Sequence, residues 1–169
     1  MINALLIGDE YLRKNFPVPS RMGSEHIEGI IKMEQLTSLH DLLGSCLYER
    51  LETGSIAQDL TADEETLLQM VQYILGLYTV DSLIDFLGSE MSNTRNEEDK
   101  NNGFINDERL LAYRGKSSHI EVRIRKFINN TTDILAIAEA TDCGYEPTFD
   151  NNSDPIYYPY LYSDTDDCE

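Results

Sequence analysis

His119-Ile120-Glu121 has the spacing of the first half of a zinc-deaminase signature, in which the histidine holds the metal and the glutamate moves the proton. That chemistry also needs a Pro-Cys-x-x-Cys half, and Cys46, Cys143 and Cys168 stand far apart without it. Asp150-Asn151-Asn152-Ser153-Asp154 opens like a calcium loop, but Pro155 takes the turn position that demands glycine and Leu161 the position of the bidentate acid. Asp99-Lys100-Asn101 fails in the same way, at Phe104 and Leu110. His26, His40 and His119 are scattered, with no repeated Glu-x-x-His pair of the kind a di-metal bundle requires. No GxGxxG, phosphate-loop lysine or GxSxG occurs, and nothing near Cys46 in the chain supplies a base. The expectation is a protein that is not an enzyme, with no catalytic residue, no metal and no cofactor.

One constellation remains, and it is electrostatic. Between Arg109 and Lys126 lie Arg109, Arg114, Lys116, Arg123, Arg125 and Lys126 against a single acid, Glu121. From Tyr145 to Glu169 there are seven acids and no base. Charges segregated this sharply predict that the acidic segment docks on the basic one, within one chain or between copies, with complementary potential fixing the register. The whole chain carries 31 acids and 13 bases in 169 residues, a formal charge of −18, so most of its surface repels phosphate backbones and anionic lipid. General nucleic-acid binding is excluded on that ground.

Helical periodicity supplies the elements. Ile27, Ile30, Ile31, Leu39, Leu42 and Leu43 recur at three- and four-residue steps, which predicts a helix from Ser24, as cap, to Gly44, as stop. Ser45 then caps a short helix with Leu47, Tyr48 and Leu51. Thr61-Ala62-Asp63-Glu64 reads as a capping box before a long helix carrying Leu67, Leu68, Val71, Ile74, Leu75 and Tyr78 and running to Gly88. An apolar face that wide predicts contact on two sides, with two helices or with one helix and another subunit. Residues 89–107 are too polar to hold a packed element and read as a long loop. Pattern resumes at Leu110 and Leu111, pauses near Gly115, continues through Ile120, Ile124, Phe127, Ile128, Leu135 and Ala138 with a break around Asn129 to Thr132, and stops near Gly144. Prolines 147, 155 and 159 and five tyrosines in the last 25 residues predict an extended arm that could reach about 80 Å, at about 3.3 Å per residue. The domains expected are thus a helical unit, 1–144, and an arm, 145–169.

Met1 to Ile7 has no cationic lead-in, which predicts no secretory leader, and no apolar run approaches the roughly 20 residues of a bilayer helix, which predicts a soluble protein. An odd number of cysteines without CxxC spacing fits free thiols in a reducing cytoplasm. Asn130-Thr131-Thr132 is a glycosylation sequon without a secretory route to use it.

Leu5-Leu6-Ile7-Gly8-Asp9-Glu10-Tyr11-Leu12, the helix junction Leu42-Leu43-Gly44-Ser45-Cys46-Leu47-Tyr48-Glu49-Arg50-Leu51, a capped long helix, a polar loop with Asn101-Asn102-Gly103-Phe104 and a last helix before a Tyr/Pro tail follow in an order that resembles a known family. These are the head-to-tail connector, or adaptor, proteins of tailed bacteriophages, particularly phages of Bacteroides hosts such as the crAss-like group. The resemblance spans most of the chain, and its most specific part is Leu-Gly-x-x-Leu-Tyr-x-x-Leu. His40, the basic last helix and the acidic tail map onto no family motif. The resemblance implies an all-α subunit in a neck ring of the virion, typically of 12 copies, which joins the portal protein to an adjacent neck or tail protein and is assembled in the bacterial host cytoplasm. DNA passes through the lumen of such a ring without specific binding, and an acidic wall lets it slide.

The reading is therefore an all-α, four-helix-type bundle with a long polar loop and an extended C-terminal arm. Lateral subunit contacts are expected from Leu67, Val71, Ile74 and Tyr78 and from Arg109, Arg114, Lys116, Arg123, Arg125 and Lys126. Tyr157, Tyr158, Tyr160 and Tyr162 are expected to anchor the arm on a partner, with no membrane involved. A free acidic DNA mimic that inhibits a host DNA-binding enzyme is the alternative. It accounts for the charge but has no use for a tyrosine arm. A dispersed-site enzyme would instead show a pocket of convergent ionisable groups.

Overall fold

A computed structural model of the chain describes residues 5–18, 22–93, 113, 115–140 and 143–145, with the side chains of 87–93 left aside. The described residues are all-α, with no strand among them. In chain order the helices are α1 (Asp9–Asn15), α2 (Ser24–Leu36), α3 (Ser38–Leu43), α4 (Ser45–Ala57), α5 (Ala62–Asn93), α6 (Ser117–Asn130) and α7 (Thr132–Ala138).

Their ends follow from local chemistry. Asp9 and Glu10 open α1 and Arg13 and Lys14 close it, which matches the helix dipole at both ends. Ser24 starts α2 without capping it: its hydroxyl donates to Asp9 Oδ2 at 2.6 Å, tying α2 to α1. The single helix expected from Ser24 to Gly44 is broken at Thr37 (φ −109°, ψ −84°), whose hydroxyl donates to the Met33 carbonyl, 2.9 Å. Gly44 closes α3 as expected, at φ +73°. The Thr61–Glu64 box forms in both directions, with Thr61 N–H donating to Glu64 Oε2 (2.7 Å) and Glu64 N–H to Thr61 Oγ1 (3.3 Å). The expected break before Thr132 lies at Thr131 (φ −109°, ψ 102°). Helix α5 continues to Asn93, so the first five residues assigned to the polar loop are helical; the rest of that loop and the arm beyond Tyr145 lie outside the described residues.

Helix α5 is the axis of the core, flanked by α2 and α6, with α3 also against it and α7 packed on α4. Leu67, Val71, Ile74, Leu75, Leu77, Val80 and Leu83 of α5 are fully buried. By length and composition Ala62–Phe86 could cross a bilayer, contrary to the expectation that no such stretch exists. Its apolar residues are spent inside the fold, on Ile27 and Ile31 of α2 and Ile124 and Ile128 of α6 in one core.

Two polar devices lock this core. Gln35 and Gln72 grip the backbone of Leu6 from either side: Leu6 N–H donates to Gln35 Oε1 (2.9 Å), and Gln72 Nε2 donates to the Leu6 carbonyl (3.0 Å). Buried Gln35 also donates to the Tyr48 hydroxyl at 2.9 Å, so a single amide joins the N-terminal segment, α2 and α4. Arg50 of α4 forks onto Glu64 at 2.7 and 2.9 Å and reaches Asp59 at 3.0 Å, holding the α4–α5 connection shut. That guanidinium, with the capping bonds of Thr61, holds the Glu64 carboxyl below the usual carboxylate range. Its stabilisation is then fully present above the unfolded-state value, about 4.3, and is lost as pH falls through the lower folded value.

Gly76 is where Phe16 docks on α5, since a Cβ there would collide with the ring, which lies tilted against Tyr73 and edge-on to Tyr113. Gly76→Ala should therefore destabilise the fold by about 1–3 kcal/mol through overpacking, read as a lower urea midpoint. Thr61→Ala should cost about 1 kcal/mol by removing half the capping box. Urea midpoints should fall between pH 5 and 3 in the natural chain, and fall less steeply in Arg50→Met, which lacks the cation that depresses Glu64.

Candidate functional site

The point with most constraints converging on it is where residues 143–145 meet the start of α4. Ser45 N–H, one of the donors that the start of α4 leaves without a helical partner, donates to the Cys143 carbonyl at 2.8 Å, and the Ser45 hydroxyl donates to the same oxygen at 3.1 Å. Cys46 and Cys143 are joined as a disulfide, with their Cα atoms 5.1 Å apart and 97 residues of sequence between them. Gly44 makes the approach possible: a Cβ there would sit 2.6 Å from the Cys143 carbonyl oxygen and 3.0 Å from Tyr145 N, and its φ of +73° already favours glycine. Beyond Gly144 (φ +67°), the half-buried Tyr145 donates its hydroxyl to Asn129 Oδ1 near the end of α6, at 3.1 Å, and burial raises the pKa of that phenol.

The free-thiol expectation is thus corrected for Cys46 and Cys143, while Cys168 lies outside the described residues. Spacing alone could not pair them, since three cysteines allow three pairings and nothing local marks this one. The only signal was indirect: each cysteine lies within two residues of a glycine, Gly44 or Gly144, that takes a positive φ.

The second candidate surface is α6. Ile124 and Ile128 face the core, and Ile120 and Phe127 are partly buried against it. Lys116, His119, Arg123 and Lys126, at helical steps of three and four, form the exposed face, and Lys116 Nζ lies 4.8 Å over the Tyr113 ring. Arg125 is half-buried. Glu121, the one acid of the stretch, accepts a hydrogen bond from the Tyr78 hydroxyl at 2.8 Å, and burial together with that carboxylate raises the Tyr78 pKa.

These positions redistribute the expected subunit contacts. Leu67, Val71 and Ile74 are fully buried in the chain's own core and cannot face a neighbour, and Tyr78 is engaged with α6 of the same chain. The wide apolar face of α5 is covered by two helices, the first of the two alternatives its width allowed. Lys116, Arg123 and Lys126 remain at the surface. Arg109, Arg114, Tyr157, Tyr158, Tyr160 and Tyr162 lie outside the described residues. Among the described residues no three His, Cys, Asp or Glu side chains are grouped to hold a metal.

No family model, no curated protein and no solved structure matches this chain.

The staple at Cys46 and Cys143 closes a loop of 97 residues that takes in α4 to α7, so its removal should cost about 4–5 kcal/mol in the chain-entropy account. Urea unfolding with and without a dithiol reductant measures this. A much lower midpoint in reductant, matched by Cys46→Ser under non-reducing conditions, is expected.

Proposed function

We propose that the chain is a structural assembly protein: a four-helix-type domain with a long polar loop and an extended C-terminal arm, forming a ring of the phage head-to-tail connector kind. In this reading copies of the chain sit between the portal and the next neck or tail protein, extend the DNA channel with an acidic wall, and use the tyrosines of the arm to hold a partner. The observation that carries the reading is the anchoring of residues 143–145, which directly precede the Tyr/Pro-rich acidic segment in sequence. A disulfide and the start of α4 fix the residues to which the Tyr/Pro-rich acidic segment is joined. A linker that only solubilised the protein would need no such anchoring.

Lateral contacts in such a ring fall to surfaces the core does not use. These are the basic face of α6 and the exposed Met33 and Leu36, three residues apart on α2. A heterologous ring needs two different complementary patches on each subunit, and a basic helix with an acidic arm provides such a pair. The disulfide fits a protein assembled in the host cytoplasm that then serves in an extracellular particle, where thiols oxidise and stay oxidised.

Co-sedimentation tests the proposal. The purified chain should pellet with purified portal rings and be present in virions. A chain that stays in the supernatant with portal and is missing from virions would end the connector reading.

A further inference from the structure

We propose that the exposed stripe of Lys116, Arg123 and Lys126 on α6 is a docking surface for an acidic peptide, and that its occupant is the chain's own last segment, residues 146–169. The proposal concerns the free subunit and does not depend on which particle the subunit joins.

The surface is defined by what surrounds it. Arg123 and Lys126 lie on the exposed side of α6, away from the buried Ile124 and Ile128, and Lys116 is the exposed N-cap residue of the same helix. Among the described residues, neither Arg123 nor Lys126 pairs with a carboxylate, although acids outnumber bases 31 to 13 in the chain. The acid best placed to neutralise the helix, Glu121, is committed to the Tyr78 hydroxyl. In so acidic a protein, cations that pair with none of the described carboxylates form a surface matched to an anionic partner.

The occupant follows from where the described chain ends. The Tyr145 hydroxyl rests on Asn129, one turn beyond Arg125 and Lys126, so the last described residue before the acidic segment is tied to the C-terminal end of α6. The 14 residues of α6 span about 21 Å at about 1.5 Å per residue. The 24 residues that follow Tyr145 could extend to about 80 Å at about 3.3 Å each, ample to run back along the helix. They carry seven acids and no base. A tether this short keeps the acids at an effective concentration in the millimolar range, so weak ion pairs suffice and a second copy competes poorly in dilute solution. Docking in cis would keep the arm and the stripe masked until a partner with a better complement displaces one from the other.

Zero-length carbodiimide coupling of the full, oxidised protein at low concentration and low salt tests this, because it joins a lysine amine only to a carboxylate at contact distance. Peptide mapping of the monomer band should find Lys116 or Lys126 linked to acids within 146–169. The links should be lost at about 1 M salt, where screening acts within about 3 Å, and in Arg123→Glu, an exposed substitution whose helicity is checked by circular dichroism. Absence of these links in the low-salt monomer, their persistence in Arg123→Glu, or their confinement to the dimer band would overturn the proposal; the last would assign the segment to a neighbouring copy. Co-sedimentation with portal can fail while these links form, so the two ideas fall separately.

Discussion

Burial of α5 between α2 and α6 is the constraint from which the other features follow. A helix apolar on so much of its circumference must be covered on both flanks, and here the cover comes from the same chain. Once Ile124 and Ile128 of α6 are turned inward to meet it, geometry leaves Lys116, Arg123 and Lys126 outward, because residues three and four apart share a face. The end of α6 then lies near Tyr145, and α7 brings the chain back to α4. The disulfide is the last stitch in that sequence of dependencies.

Several polar groups in this core answer backbone that would otherwise be stranded. Gln35 and Gln72 answer both hydrogen-bonding groups of Leu6, and the Cys143 carbonyl answers the start of α4. Glu64 serves its own helix start and Arg50 together, and Asp59 adds a second carboxylate to the same guanidinium at the α4–α5 corner. The ties made by Gln35 and Gln72 are long-range, from side chains whose type alone does not announce the role.

The sequence was most legible where the cause of structure is local. Gly44 as a helix stop, the Thr61–Glu64 box and the break before Thr132 each rest on residues within four positions of one another. The break at Thr37 escaped because Leu39, Leu42 and Leu43 keep the apolar rhythm after the backbone has turned. Helix α1 went unread because seven residues hold too little periodicity, and the end of α5 because Ser89 to Asn93 extend a helix without an apolar residue to mark it beyond Met91. The buried role of Leu67, Val71 and Ile74 was legible as burial but not as burial against the same chain, since a stripe of leucine and isoleucine is alike whether a helix or a subunit covers it. The Cys46–Cys143 pairing depends on two segments 97 residues apart and had no local cause to read.

Whether α5 is covered from within is best decided by native-state hydrogen exchange followed across a wide range of protein concentration. The amides of residues 67–83 should be the slowest to exchange in the molecule, at rates that do not change on dilution. Protection of that stretch that appears only as concentration rises would mean that another copy covers the helix, and would contradict the account.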